Sequence, residues 1–145
     1  MSYHLACNLD NTFAAVVSVT GSMTNDTYDN CAPSHPTAAM QIHGVQDLTV
    51  PYLGSGWSKS IDDVMDYWVR YNSCSTDPER VIKYSNQTDY INFDTYGSCL
   101  NNVNVKLILH SGMGHNWPFI QNYNIDASQE VWDFVSKYDI NGLRN

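Results

Sequence analysis

The sequence predicts an α/β domain built on a doubly wound, mostly parallel β-sheet with flanking helices. Three apolar segments of strand length, 13–19, 38–43 and 103–109, each run into a loop that contains glycine. Continuous apolar runs are typical of strands buried on both faces, as in parallel sheets. Apolar residues at helical spacing follow Ser60 and Asp126, and these two helices can cover such a sheet.

The composition fits a single globular domain. Hydrophobic residues make up 43% of the 145 positions and aromatic residues 12%, enough to build a packed core. The formal net charge is −8, so we expect no nucleic-acid partner. No apolar run approaches the ~20 residues that a membrane-spanning helix needs, and we expect no membrane partner.

The first ten residues predict a helix that is already under way at Met1, because Met1, Leu5 and Leu9 share a helical spacing. No capping residue precedes it, so we expect the true start of this element to lie upstream. The same residues lack the charged and apolar regions of a signal peptide, so any export signal is expected elsewhere.

Ser60 is predicted to cap the best-defined helix, because Asp63 follows three residues later in a near capping box. The predicted core face of this helix comprises Ile61, Val64, Met65, Trp68 and Val69.

The final helix is predicted to begin near Asp126 or Ser128, with Val131, Trp132 and Val135 facing the core. Between the two helices, residues 75–100 contain alternating segments that favour a short antiparallel excursion.

Four cysteines, Cys7, Cys31, Cys74 and Cys99, contain no CxxC pair, which argues against a zinc knuckle or a thioredoxin-like motif. An even count favours two disulfides, and three pairings are possible. Joining sequence neighbours would close two loops of similar length, each worth about 3 kcal/mol. Four buried, reduced thiols are the alternative.

Asp47 and His115 are the candidate chemical groups. Each lies in a loop shortly after a predicted buried strand, and the carboxyl ends of neighbouring parallel strands meet at one edge of a sheet. A carboxylate can fix the tautomer of an imidazole, and the imidazole can then take a proton from a nucleophile and return it to a leaving group.

Residue spacing alone leaves simpler roles open. Asp47 can cap a turn before a proline, and His115 can be an ordinary loop histidine. We expect His43, beside Gly44, to be a strand-end histidine with satisfied hydrogen bonds. No metal site is expected, because the remaining histidines show no ligand spacing. These are His4, His35 and His110.

Four segments carry a family resemblance. In chain order they are MSYHLACNLDNTFAAVVSVTGSM, HGVQDLTVPY, WSKSIDDVMDYWVRYNSC with the distal Cys99, and GMGHNWP. In this order they resemble the C-terminal half of the polyhydroxybutyrate depolymerase and feruloyl esterase group of secreted α/β-hydrolases. The opening segment is similar to the helix and strand that follow that family's nucleophile elbow. The closing WDFVSKYDINGL resembles the terminal helix of bacterial members, so the likeness covers nearly the whole chain.

The resemblance implies a carboxylic-ester hydrolase with a partial α/β-hydrolase fold. It makes Asp47 the acid and His115 the base of a Ser-His-Asp triad, and it places Trp117 near the acyl or aromatic part of the substrate. The implied substrate is a polyester, a feruloylated polysaccharide or a small acyl ester. The mechanism requires no cofactor or metal.

The resemblance also implies the disulfides Cys7–Cys31 and Cys74–Cys99 and an extracellular or periplasmic location. One family feature is missing from the sequence, the G-x-S-x-G elbow that carries the nucleophilic serine. The family register places that elbow a few residues before Met1.

We therefore expect residues 1–145 to form a single incomplete domain that lacks the N-terminal half and is inactive alone. Ser2, Ser22 and Ser111 lack the elbow pattern. The strand at 13–19 would become an exposed apolar edge, so self-association is expected. The competing interpretation is a non-catalytic secreted carbohydrate-binding or remnant module.

Overall fold

A computed structural model describes residues 1–9 and 11–144, and it contains a five-stranded sheet with helices on both faces. The mixed α/β class is confirmed. The strands of the sheet are β1 (Ala15–Val19), β2 (Ala38–Gly44), β3 (Glu79–Tyr84), β4 (Tyr90–Tyr96) and β5 (Val105–His110). The helices are α1 (Ser2–Asn8), α2 (Asn25–Asp29), α3 (Ile61–Tyr71), α4 (Ile120–Tyr123) and α5 (Ala127–Val135). A short 3₁₀ turn (Leu100–Asn102) and a two-stranded ribbon, β6 (Tyr138–Asp139) with β7 (Gly142–Leu143), complete the described elements.

The strand order is β1-β2-β5-β4-β3. Strands β1, β2 and β5 run parallel, whereas β4 is antiparallel to both β5 and β3. The antiparallel hairpin expected within residues 75–100 is present, but it extends the main sheet instead of standing apart. Phe93 of β4 pairs with Ile108 of β5. The sheet is therefore mixed: four of the five described strands run in one direction and β4 runs against them.

Strand β2 is buried along its whole length and divides the core. Ala39 lies in the cluster that contains Trp68 of α3, while Met40 lies in the cluster that contains Phe134 of α5. Successive residues of a strand point to opposite faces, so helices cover the sheet on both sides. Strand β1 is less buried, because β2 is its one partner in the described part of the sheet.

Both long helices begin where the sequence predicts. The Ser60 side chain accepts a hydrogen bond from Asp63 N at 3.0 Å, and the predicted apolar face of α3 is buried. Asp126 caps α5 in the same way. The prediction that Trp132 faces the core is wrong, because its exposed fraction is 65%. Helix α5 buries Ala127 and Phe134, which are seven residues apart and share a face that excludes Trp132.

Two disulfides tie the helices to the rest of the chain. Cys7–Cys31 joins α1 to the segment after α2, and Cys74–Cys99 joins the end of α3 to the turn before β5. These are the two pairings that the family resemblance implies, and no cysteine is free. Within residues 1–9 and 11–144, no helix is both long and apolar enough to cross a membrane.

The outer edge of β1 generates a prediction about association. Within residues 1–9 and 11–144, the backbone groups on this edge have no strand partner, and such edges pair with other chains. We expect concentration-dependent self-association in sedimentation equilibrium, and Val17→Lys should weaken it. Ile82→Lys, on the opposite edge strand β3, is the control and should leave it unchanged, because the charged side chains of that strand already oppose pairing with another chain. A wild-type protein that stays monomeric at high concentration would contradict the prediction.

Candidate acid–base site

Asp47 lies in the turn that follows β2. Val45 N donates to His110 O of the neighbouring strand at 3.0 Å, and Asp47 N donates to Gly44 O at 3.2 Å. These bonds fold the chain back on itself at the end of the sheet. The Asp47 side chain is thereby drawn inward, and the residue is only 2% exposed.

His115 lies in the loop after β5, which packs directly on the Asp47 turn. Gln46 N donates to Met113 O at 3.1 Å. A Cβ atom at Gly44 would overlap that same carbonyl group, so the close approach of the two loops requires glycine at position 44. The ends of β2 and β5 therefore bring together the two side chains that the sequence predicts as a pair.

The carboxylate of Asp47 is fully engaged. Its Oδ2 lies 2.9 Å from Nδ1 of His115, while Oδ1 accepts from Thr49 N at 2.9 Å and from Val50 N at 2.8 Å. Asp47 thus caps a turn and also contacts His115, so the two roles considered from the sequence coexist. Burial acts to raise the pKa of Asp47, but the hydrogen bonds from Val50, His115 and Thr49 outweigh it and lower the pKa.

The contact with Asp47 sets the tautomer of His115. An ionised carboxylate only accepts hydrogen bonds, so Nδ1 of His115 must carry a proton, and in the neutral form of the ring Nε2 then holds the lone pair. Within the described residues, Nε2 of His115 makes no hydrogen bond, and the side chain is 42% exposed. An accessible lone pair beside a buried carboxylate is the arrangement that general-base catalysis needs.

His43 approaches the same carboxylate from β2. Its Nε2 lies 3.0 Å from Val50 O and 3.7 Å from Asp47 Oδ2, and the residue is fully buried. Burial lowers the pKa of His43 and outweighs the opposing effect of Val50 and Asp47, so the ring is neutral. The sequence predicts a satisfied strand-end histidine at position 43 but not its proximity to Asp47, although the two residues lie only four positions apart across the turn.

An apolar cleft of about 350 Å³ adjoins Asp47. Leu48 and Leu53, with exposed fractions of 93% and 82%, line it, and sequence reasoning missed both. Trp117 is half exposed and lies two residues beyond His115. The complete lining is Val45, Asp47, Leu48, Pro51, Tyr52 and Leu53.

No serine of the described residues forms a hydrogen bond with His115. The Ser22 hydroxyl donates to Lys59 O at 2.8 Å, and the Ser111 hydroxyl accepts from Tyr90 N at 2.9 Å. Ser2 is the first residue of α1. Over the same residues, no group of three or more His, Cys, Asp or Glu side chains is placed to hold a metal ion.

Comparison with protein-family models finds no match to this chain, and a search of curated proteins finds none either.

The lowered pKa of Asp47 predicts how Asp47→Asn responds to pH. As the pH falls, the unfolded state binds a proton at Asp47 before the folded state does. The carboxylate therefore stabilises the fold fully above its ordinary pKa of 3.8, and this stabilisation is lost as the pH falls through the lower pKa of the folded state. At pH 7 the variant should be about 1–2 kcal/mol less stable than the wild type in urea unfolding. The difference should shrink below about pH 4, and a difference that is constant with pH would contradict the assignment.

The contact between Gly44 and Met113 predicts a second effect. Gly44→Ala should push the two loops apart and lower the free energy of unfolding by about 1–3 kcal/mol. Gly56→Ala is the matched control, because a Cβ atom there would meet nothing within 4 Å. We expect a crystal structure of the Gly44 variant to show the bond from Asp47 to His115 lengthened. An unchanged bond with unchanged stability would refute the steric explanation.

Proposed function

We propose that this chain supplies the acid and the base of a Ser-His-Asp carboxylic-ester hydrolase of the polyhydroxybutyrate depolymerase and feruloyl esterase type. The observation that carries the proposal is the 2.9 Å contact between Asp47 Oδ2 and His115 Nδ1 at the ends of β2 and β5. In open α/β sheets, catalytic groups lie at the carboxyl ends of the strands. A carbohydrate-binding module has no comparable need for a buried carboxylate bonded to an accessible imidazole.

In the proposed mechanism, Nε2 of His115 takes the proton of a serine hydroxyl as the serine oxygen attacks the ester carbonyl carbon. The imidazolium that forms is stabilised by Asp47 and then protonates the leaving alcohol. An acyl-enzyme remains on the serine. His115 next takes a proton from water as the water oxygen attacks the acyl carbonyl carbon. The bond from this carbon to the serine oxygen then breaks, the imidazolium returns the proton to the serine oxygen, and the carboxylic acid leaves.

The nucleophilic serine belongs, in this proposal, to polypeptide outside residues 1–145. Two observations support this assignment. The sequence contains no G-x-S-x-G elbow, and the hydroxyls of Ser22 and Ser111 bond elsewhere. The proposed domain is then an α/β-hydrolase fold of which this chain forms the C-terminal part, and the chain alone is inactive.

The apolar cleft beside Asp47 and the half-exposed Trp117 suit the acyl or aromatic part of an ester, whether a polyester, a feruloylated polysaccharide or a small acyl ester. The two disulfides are compatible with a secreted protein, since such bonds persist in oxidising compartments. We accordingly place its action outside the cell or in the periplasm.

The test compares the 145-residue chain with the product of the same reading frame that includes the sequence upstream of Met1. The extended protein should hydrolyse p-nitrophenyl butyrate, and a fluorophosphonate probe should label a serine outside residues 1–145. His115→Gln should lower kcat about 10,000-fold. His35→Gln, at the opposite end of β2, is the matched control and should keep full activity.

Besides an extended protein that fails to hydrolyse p-nitrophenyl butyrate, two results would overturn the proposal. One is turnover by the 145-residue chain that a serine-directed inhibitor abolishes. The other is ester hydrolysis by the extended protein that His115→Gln leaves intact.

A further inference from the structure

We propose that His43 is a positioning residue that holds Asp47 in place for His115 through the carbonyl of Val50. Its importance for catalysis rests on the proposed function. The effect of His43 on the geometry of Asp47 and His115 does not. His43 contacts neither a substrate nor a reacting atom in the proposed mechanism. It is the last side chain in a buried series of hydrogen bonds that leads to Val50, and its proposed role depends on that series.

This series of hydrogen bonds starts on α1 and crosses to β2. The Tyr3 hydroxyl donates to Gln41 Oε1 at 2.7 Å, and Gln41 Nε2 lies 3.0 Å from His43 Nδ1. His43 Nε2 then lies 3.0 Å from Val50 O. Tyr3, Gln41 and His43 are all at most 2% exposed. Gln41 and His43 are two residues apart on β2, so their side chains lie on the same face of the sheet, the face that α1 covers.

The orientation of every group in the chain is fixed by a neighbour. Gln41 Nε2 lies 2.9 Å from Gly21 O, which only accepts, so this end of the amide is the donor. His43 Nδ1 must therefore accept, and the proton of the neutral ring resides on Nε2. Val50 O also only accepts, so it requires a proton on the same atom. Two independent carbonyl groups thus demand one tautomer of His43.

Through Val50, this tautomer acts on the candidate site. Val50 donates its N–H to Asp47 Oδ1 at 2.8 Å and accepts from His43 at its own carbonyl. His43 thereby anchors the residue that holds one oxygen of the carboxylate, and the other oxygen is left for His115. A neutral His43 also leaves the negative charge of Asp47 available to an imidazolium at position 115.

An apolar residue at position 43 would break this arrangement. It would leave Gln41 Nε2 and Val50 O buried with one partner fewer, and buried polar groups without partners are costly. Glutamine at position 43 can donate to Val50 O and accept from Gln41. The pair His43→Leu and His43→Gln therefore separates loss of the hydrogen bond from the change of side chain.

The experiment reads the tautomer of each histidine in the ¹⁵N-labelled protein by long-range ¹H–¹⁵N NMR at a pH where the rings are neutral. In the wild type, His43 should be protonated on Nε2 and His115 on Nδ1. His43→Leu should shift His115 to a mixture of both tautomers, because the bond to Asp47 no longer holds the proton on Nδ1. His43→Gln should restore the wild-type signal.

Asn72→Leu is the control for a general loss of stability. Asn72 is fully buried and bonds both N and O of Thr37 near the opposite end of β2, so its replacement should destabilise the fold without changing the His115 signal. If His43→Leu fails to fold, His43→Phe, which keeps a ring but has no hydrogen-bonding group, takes its place and should shift the His115 signal in the same way.

The proposal is overturned if wild-type His43 carries its proton on Nδ1, if His115 is unchanged in a folded His43→Leu protein, or if Asn72→Leu alters His115 equally. None of these readouts needs ester hydrolysis. An inactive extended protein with the expected tautomers would refute the proposed function and keep the positioning role. An active extended protein whose tautomers differ from those expected would refute the positioning role and keep the proposed function.

Discussion

The buried carboxylate of Asp47 is the constraint on which the site depends. A carboxylate that is 2% exposed needs hydrogen-bond donors, and it obtains them from Thr49 N, Val50 N and His115. Each donor has its own structural cause. The turn after β2 supplies the two backbone groups, and the absence of a side chain at Gly44 lets the loop after β5 bring the imidazole.

The support for this carboxylate extends well beyond its own loop. Tyr3 lies on α1, and the Cys7–Cys31 disulfide fixes that short helix to the segment after α2. From Tyr3, buried hydrogen bonds pass along β2 to Val50, which contacts the carboxylate directly. Buried hydrogen bonds therefore link α1 to the pair of side chains beyond the carboxyl end of β2.

Local signals explain what the sequence could predict. Ser60 and Asp63 cap α3 because both partners lie within one helical turn, and the three parallel strands are rich in apolar residues. Asp47 and His115 are predictable because each follows such a strand. The links among Tyr3, Gln41 and His43 are not, since the bond from Tyr3 to Gln41 joins residues 38 positions apart. The pairing of β4 with β5 is likewise a tertiary contact. The alternation of apolar and polar residues within β3 and β4 does not determine which strand the hairpin joins.

The most direct measurement of the central claim is a double-mutant cycle between Asp47 and His115. Unfolding free energies of the wild type, Asp47→Asn, His115→Gln and the double variant at neutral pH give the energy of their interaction. Since His115 is partly exposed, we predict a favourable coupling of about 1 kcal/mol. A coupling indistinguishable from zero would contradict a bonded acid–base pair at this site.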